Sequence, residues 1–438
     1  MKKSKKISGK PKKQKIRFEP PKGTRDFLPD EMKKRNWVFN VCRNVFEKYG
    51  YGEVKTPAFE SLELLECKGS LGGDAVKDIY RFTDKSDRKL GLIYEPTTPI
   101  ARIIANKPDL PKPIRWYYIT RMWRYEDVGK GHYREFWQAG CELAGTDDPA
   151  SDAEIIQLTV DCLLALGIKD FTIRVNNRKI LDSIAKKLKI ENKENVFRIL
   201  DKLDKKGEKE VKQELKNEIN AKQIAGIFKF IKSDISKVRE LGGVKELKNI
   251  INLLDDDYKK FVKVDFSIAR GLDYYTDFIF ETLVKGFEEL GSVASGGRYD
   301  DLIKKYGGKA TPAVGFGIGI ERIMRVLEKS DLIKLRKSEL IYVAPVNESI
   351  IKSAMEVCKI LRNADLVAEL GFASKSLSKH LNYANSKHAC YVVIVGPEDL
   401  KENKVTIRDM KTGDEKKAVI PEVGEEIKKL ERLKIVYG

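Results

Sequence analysis

Histidine is scarce in this chain, with three in 438 residues, and no HExxH brings two together. That excludes the usual zinc-hydrolase chemistry. Cysteine is nearly as sparse. Cys42, Cys67, Cys141, Cys162, Cys358 and Cys390 form no CxxC pair, which argues against a structural zinc site and for a reducing, cytoplasmic location. No apolar run approaches the roughly 20 residues that cross a bilayer, and no signal peptide opens the chain. No membrane role is therefore expected. The GxxxxGK[ST] loop and a GxGxxG turn after a strand are also missing, which removes two common ways of holding a nucleotide.

Basic charge is plentiful. Lys and Arg number 84 against 66 acids, a net +18, which points to a polyanionic partner. Residues 1–17 hold eight Lys, one Arg and no acid, so half the excess lies in one tail, expected to be disordered. A solubility tail or a lysine-rich composition explains the same charge. The hydrophobic content of 42% is ordinary for a globular protein, and the length calls for two or three domains.

The most informative stretch is Arg124 to Glu142, RYEDVGKGHYREFWQAGCE. Gly129 and Gly131 make a turn, and period-two alternation on either side predicts two antiparallel strands. Alternation places Arg124, Phe136, Gln138 and Glu142 on one face. A guanidinium, a flat ring, an amide and a carboxylate suit a ligand with phosphate, base and amine. An ordinary exposed hairpin braced by ion pairs fits the same residues, and both readings stay open here.

Around it, helical spacing predicts a helix from Asp30 to Tyr49, then a strand running into Pro57. A loop at Gly69–Gly73 precedes short strands at Ile79–Phe82 and Leu90–Tyr94. Glu95 follows, between a strand end and Pro96 and Pro99: a rigid seat for an amine, or a plain turn. Ser151 to Leu166 reads as a helix with Ser151 or Asp152 near its N-cap. From about Arg178 to Lys263 glycine thins and Lys and Glu dominate, so a helical insertion is expected, of no legible function. Strands resume at Val264–Phe266, leading through Ala269–Thr276 to Phe278–Glu281, and then at Ser292–Asp300 and Ala313–Ile320, the last alternating glycine with apolar residues before turning helical. Arg322 falls in the first turn of that helix, where a charge needs a partner or a ligand. Arg124, Arg270 and Arg322 thus gather around one sheet, as neutralising a triphosphate requires.

No His-Ile-Gly-His signature is present, which excludes a class I synthetase. The chain resembles instead the histidyl-tRNA synthetase family of class II, from about Pro20 to the C-terminus. Arg124-Tyr125-Glu126 with Arg134 to Gln138 resembles the class's second motif, Gly315 to Arg322 its third, and the 30–49 helix with its strand its first, dimer-forming one. These indicate the class alone. Arg270-Gly271-Leu272-Asp273-Tyr274-Tyr275 and Ser295-Gly296-Gly297-Arg298-Tyr299-Asp300 resemble the two histidine-specific signatures.

The resemblance implies an α+β fold: an antiparallel-sheet catalytic core over 18–177 and 264–335, a helical insertion at 178–263 and an α/β anticodon-binding domain over 336–438. It implies ATP, carried with Mg2+, as the cofactor and tRNA(His), histidine and a second copy of the chain as partners. Arg124 would bind the α-phosphate and carboxylate, Phe136 would stack the adenine, and Glu126 would lie near its amino group. Glu95, Thr97 and Gln138 would hold the α-amine, and Glu142 and Tyr275 the imidazole, with Tyr274 and Tyr299 lining the pocket. Arg322 would take the γ-phosphate, and Arg270 the α-phosphate as charge develops.

Three places depart from the family. Ile93-Tyr94 precede Glu95 where Arg-Pro is usual; Gly129-Lys130-Gly131-His132 replaces Gln-Lys-Gly-Arg; and Thr276-Asp277 follow the tyrosine pair. Toward the C-terminus, strands at Leu340–Val346, Leu366–Leu370, Tyr391–Gly396 and Val405–Arg408 alternate with helices at Ser349–Arg362 and Lys375–Ser386. Lys375, Lys379, His380 and Lys387 give the second helix a basic face suited to RNA phosphates, or simply to water. Two other functions compete. A catalytically inactive regulatory paralogue of histidine biosynthesis would typically lack the C-terminal domain and the histidine signatures. A non-enzymatic tRNA-sensing module would not need the three arginines.

Overall fold

Pro29 in the first turn, Asp30 and Glu31 beside it and Lys48 at the far end favour a helix by geometry and by dipole. It spans Pro29–Lys48 and buries Val38, Cys42 and Phe46. This computed structural model describes residues 18–67, 73–129, 131–269, 274–335, 339–372 and 376–437. The basic tail, the 68–72 part of the glycine loop, Lys130, Arg270–Asp273 and Lys375 lie outside the described residues. The chain divides into two units, 1–334 and 335–438.

In the first unit the strands, in chain order, are β1 Gly52–Glu53, β2 Phe59–Ser61, β3 Arg81–Thr83, β4 Lys89–Leu92, β5 Ile114–Trp123, β6 Glu135–Ala144, β7 Phe171–Asn177, β8 Val262–Val264, β9 Phe278–Val284, β10 Ala294–Arg298 and β11 Ala313–Gly319. Eight of them form one sheet, ordered β1-β5-β6-β11-β10-β9-β7-β8. Its interior pairs are all antiparallel, and only the edges, β1 on β5 and β8 on β7, are parallel. A small sheet, β2-β4-β3, stands apart.

Period-two alternation along β6 sorts the molecule into two sides. Ala139, Cys141 and Leu143 join the main core with Val38 and Phe46 of the first helix and Ile155, Ile156 and Leu163 of the helix Pro149–Ala165. Each of the buried Val, Leu, Ile and Phe side chains contributes about 1.5–3 kcal/mol on leaving water. Gln138, Gly140 and Glu142 face the other way, toward Tyr118, Tyr274 and Tyr299 and the helix Thr97–Asn106. The Pro149 helix is capped by Asp148, whose side chain accepts from the Ala150 amide. This corrects the expected Ser151 or Asp152 cap, because Pro149 starts the helix two residues earlier. Ser151 and Asp152 turn inward instead and hold the buried Arg298, at 2.7 Å from Ser151 Oγ and 3.0 Å from Asp152 Oδ1.

Between β7 and β8 the chain is helical at Arg178–Lys187, Lys193–Leu200, Leu203–Leu215, Ala221–Ile231, Val244–Leu253 and Asp256–Lys259. Asn220 and Gln223 close a reciprocal capping box on the fourth of these.

The second unit holds a five-stranded sheet. Its strands are β12 Leu340–Pro345, β13 Val367–Leu370, β14 Tyr391–Val395, β15 Lys404–Asp409 and β16 Glu415–Val419, in the order β13-β12-β14-β15-β16. Helices Ile351–Asn363, Leu377–Ser386 and Val423–Tyr437 accompany it. His380 does not belong to the basic face. It is fully buried, with Nδ1 2.8 Å from the Tyr342 hydroxyl, whereas Lys379 and Lys387 are exposed.

Candidate active site

The site grows from the inward face of β6. Across the β6–β11 pair, Gly319, Gly317 and Gly315 stand opposite Gln138, Gly140 and Glu142. A Cβ at Gly315 would overlap the Glu142 carboxylate, and one at Gly317 the Gln138 amide. The alternating glycines therefore exist to let two neighbouring polar side chains lie flat over bare backbone. Gly140 makes room in turn for Tyr118 on β5, whose hydroxyl accepts from Gln138 Nε2 at 2.8 Å.

Above this floor is a polar cavity of about 80 Å³, walled by Glu95, Thr97, Arg124, Gln138, Tyr274, Tyr275 and Tyr299. Seven residues singled out from the sequence thus meet at one place. Glu142 lies beneath them, 2% exposed. Its Oε1 accepts from Thr97 Oγ1 at 2.6 Å, and its Oε2 from the Tyr299 hydroxyl. Burial pushes its carboxyl up to about 8, against the lowering effect of those two donors. Glu95 is also buried, and its two oxygens accept from the Thr97 and Thr98 amides at 2.6 and 2.8 Å. It thereby satisfies two of the free amides that open the 97–106 helix. Burial raises its pKa as well. The Tyr274 and Tyr275 phenols, edge to face at 4.9 Å, are pushed up by burial and by the nearby carboxylates, and so remain hydrogen-bond donors.

At the outer end, Arg124 Nε donates to the Tyr94 carbonyl at 3.2 Å, and its guanidinium lies 4.2 Å from the Tyr94 ring centroid and 5.0 Å from that of Phe136. Tyr94, one of the departures from the family pattern, is thus a platform for Arg124. Another departure, His132, stands between Glu126 and Arg322: Nδ1 is 3.5 Å from Glu126 Oε2, and Nε2 is 3.4 Å from Arg322 Nη2. Its hydrogen bond, with Arg124 and Arg322 nearby, holds the Glu126 carboxyl below the usual range. Arg322 also donates to the Ser292 carbonyl. Arg270 is outside the described residues.

Tyr118 and Ser295, for which no role was expected, also line the cavity, with Gly315, Phe316 and Gly317. Ser295 could have been found, since it shares a face of β10 with Gly297 beside the glycine strand. Tyr118 carries no signal beyond its place in the alternation.

A family model described as histidyl-tRNA synthetase matches residues 23–323, and one described as an anticodon binding domain matches 340–430. The histidine–tRNA ligase of Thermococcus kodakarensis is 41% identical over 421 residues, spanning 91% of this chain and 96% of that protein. That of Pyrococcus furiosus is 39% identical over 438 residues, spanning 94% and 99%. Among solved structures, a histidyl-tRNA synthetase from Nostoc sp. superposes with a TM-score of 0.78 at 30% identity, over 95% of this chain and all of that one. With the family model covering most of the first unit and these relatives aligned almost end to end, the chain belongs to the histidyl-tRNA synthetase family.

Proposed function

We propose that this protein is a cytoplasmic histidine–tRNA ligase. A histidine carboxylate oxygen attacks the α-phosphorus of ATP, forming histidyl-adenylate and releasing pyrophosphate. A hydroxyl of the terminal ribose of tRNA(His) then attacks the histidyl carbonyl, forming the ester and releasing AMP. No protein nucleophile is needed; positioning and charge neutralisation do the work. Mg2+ arrives on the ATP phosphates as part of the substrate.

The observation that carries this reading is the small polar cavity laid over Glu142, with tyrosine hydroxyls around it. Glu142 accepts from one imidazole nitrogen and Tyr275 meets the other, so a ring lacking two polar edges leaves buried groups unmatched. Gln138, Thr97 and the free lone pairs of Glu95 take the α-amine. Arg124 bridges the carboxylate and the α-phosphate, Phe136 stacks the adenine with Glu126 at its amino group, and Arg322 takes the γ-phosphate. Arg270 is assigned to the α-phosphate from the sequence alone. The first unit is the catalytic core carrying the 178–263 insertion, and residues 336–438 bind the anticodon. The active form is a homodimer; the exposed Phe59–Phe82 pair on the small sheet favours a covered surface there.

Amino-acid-dependent ATP–pyrophosphate exchange, run with each of the twenty amino acids and no tRNA, tests the reading. Exchange with histidine alone is expected. Silence with all twenty, in a folded protein that still binds histidine, would move the assignment to the regulatory paralogue.

A further inference from the structure

Two consecutive residues of the hairpin loop face two consecutive residues of the 320–329 helix. His132 meets Arg322, as described above. Tyr133, the next residue, carries the Arg25 guanidinium over its ring at 3.5 Å from the centroid. That same guanidinium is ion-paired with Glu321, the residue before Arg322. Arg25 thus spans from loop to helix beside the His132–Arg322 contact. The segment around it also grips the residue after Tyr133: the Arg134 amide donates to the Gly23 carbonyl at 2.9 Å, and a Cβ at Gly23 would meet the Arg134 side chain at 2.6 Å. Glu321 is anchored independently by Arg35, at 2.9 and 2.8 Å.

We infer that Arg25 is a positioning residue for ATP: by clamping Tyr133 against Glu321, it fixes the distance between the 125–134 loop and Arg322. The inference rests on the proposed roles of that loop and of Arg322. Arg25 touches neither the cavity floor nor the histidine pocket, so its loss should weaken ATP and spare histidine. It is also separable from folding. Arg25 is 30% exposed, and Glu321 keeps both Arg35 contacts when Arg25 is removed, so no buried carboxylate is orphaned.

The test compares Arg25→Ala, Arg25→Lys and Tyr133→Leu with the unmodified chain. It measures both KM values in histidine-dependent exchange, ATP affinity by calorimetry, and Tm. Each variant should raise the KM for ATP about tenfold while the KM for histidine stays within about twofold, and Arg25→Ala with Tyr133→Leu should be far from additive. Arg25→Lys keeps the charge facing Glu321 but loses the flat stack, so it should fold normally and still lose ATP affinity. Equal rises in both KM values would overturn the inference, as would unchanged ATP parameters in a folded Arg25→Lys and Tyr133→Leu. If the unmodified chain shows no exchange with histidine, the proposed function fails instead; calorimetric ATP affinity still decides the clamp.

Discussion

Glu142→Gln changes a charge without changing a volume, and its consequences can be worked out. With its carboxyl pushed up to about 8 by burial, Glu142 is mostly protonated at neutral pH in the empty site. An imidazole N–H needs the ionised form as acceptor. The kcat/KM for histidine reports groups of the free enzyme, so it should rise about eightfold between pH 7 and 8.5, as the ionised fraction goes from roughly a tenth to three quarters. The Gln variant should lose that limb altogether. It also has one acceptor oxygen where the carboxylate serves both Thr97 and Tyr299. Losing one charge-assisted hydrogen bond, about 1.5–3 kcal/mol, lowers kcat/KM roughly 10- to 150-fold at the alkaline end.

Stability supplies an independent readout. A carboxyl whose folded pKa is raised contributes stability that is complete below its unfolded value of 4.5 and is lost as pH rises through about 8. The Tm of the ligand-free unmodified chain should therefore fall, relative to the Gln variant, across that window. An alkaline limb that survives in Glu142→Gln, or parallel Tm profiles, would refute the assignment of Glu142 and the reasoning from its burial.

Other outcomes follow from the same geometry. Gly317→Ala should displace the Gln138 amide from Tyr118 and raise the KM for histidine about tenfold, with the KM for ATP unchanged in the exchange assay. Arg298→Leu removes the cation that lowers the Asp152 pKa, so the carboxyl stays protonated at neutral pH. The lost hydrogen bonds should cost about 1–3 kcal/mol in a denaturant titration there, and more at alkaline pH, where a buried carboxylate would have to ionise alone. The loss should shrink in acid, since burial already pushes Asp152 up to about 7 despite the facing Arg298. Arg270→Ala should collapse adenylate formation while calorimetry still detects histidine binding; unchanged exchange would remove Arg270 from the mechanism.

Much of this site was legible because its chemistry leaves a periodic trace. The hairpin announced itself by alternation, and the Gly-apolar pattern of 313–319 records the bulk of Glu142 and Gln138 on the neighbouring strand. What stayed hidden depended on distant partners. Ser151 and Asp152 look like caps until Arg298, 147 and 146 residues away, draws them inward. His380 sits among lysines in sequence, yet Tyr342 on β12 takes it into the interior. Strand β16 and the final helix drew no assignment from a stretch dense in Lys and Glu, for β16 is an edge strand with mostly exposed residues and little apolar alternation. Arg25 drew no assignment, since nothing local connects it to Glu321, 296 residues on.

The glycine floor sets a limit on how this pocket can be altered. Enlarging a binding site usually means trimming a side chain, but beneath Gln138 and Glu142 nothing is left to trim, and every substitution at Gly140, Gly315 or Gly317 intrudes. Room for a bulkier amino acid comes most readily from the tyrosine walls, whose hydroxyls are the same groups proposed to recognise the ring. Size and polarity are therefore not independent variables here: a variant that admits a larger side chain surrenders its hydrogen-bond selectivity in the same step.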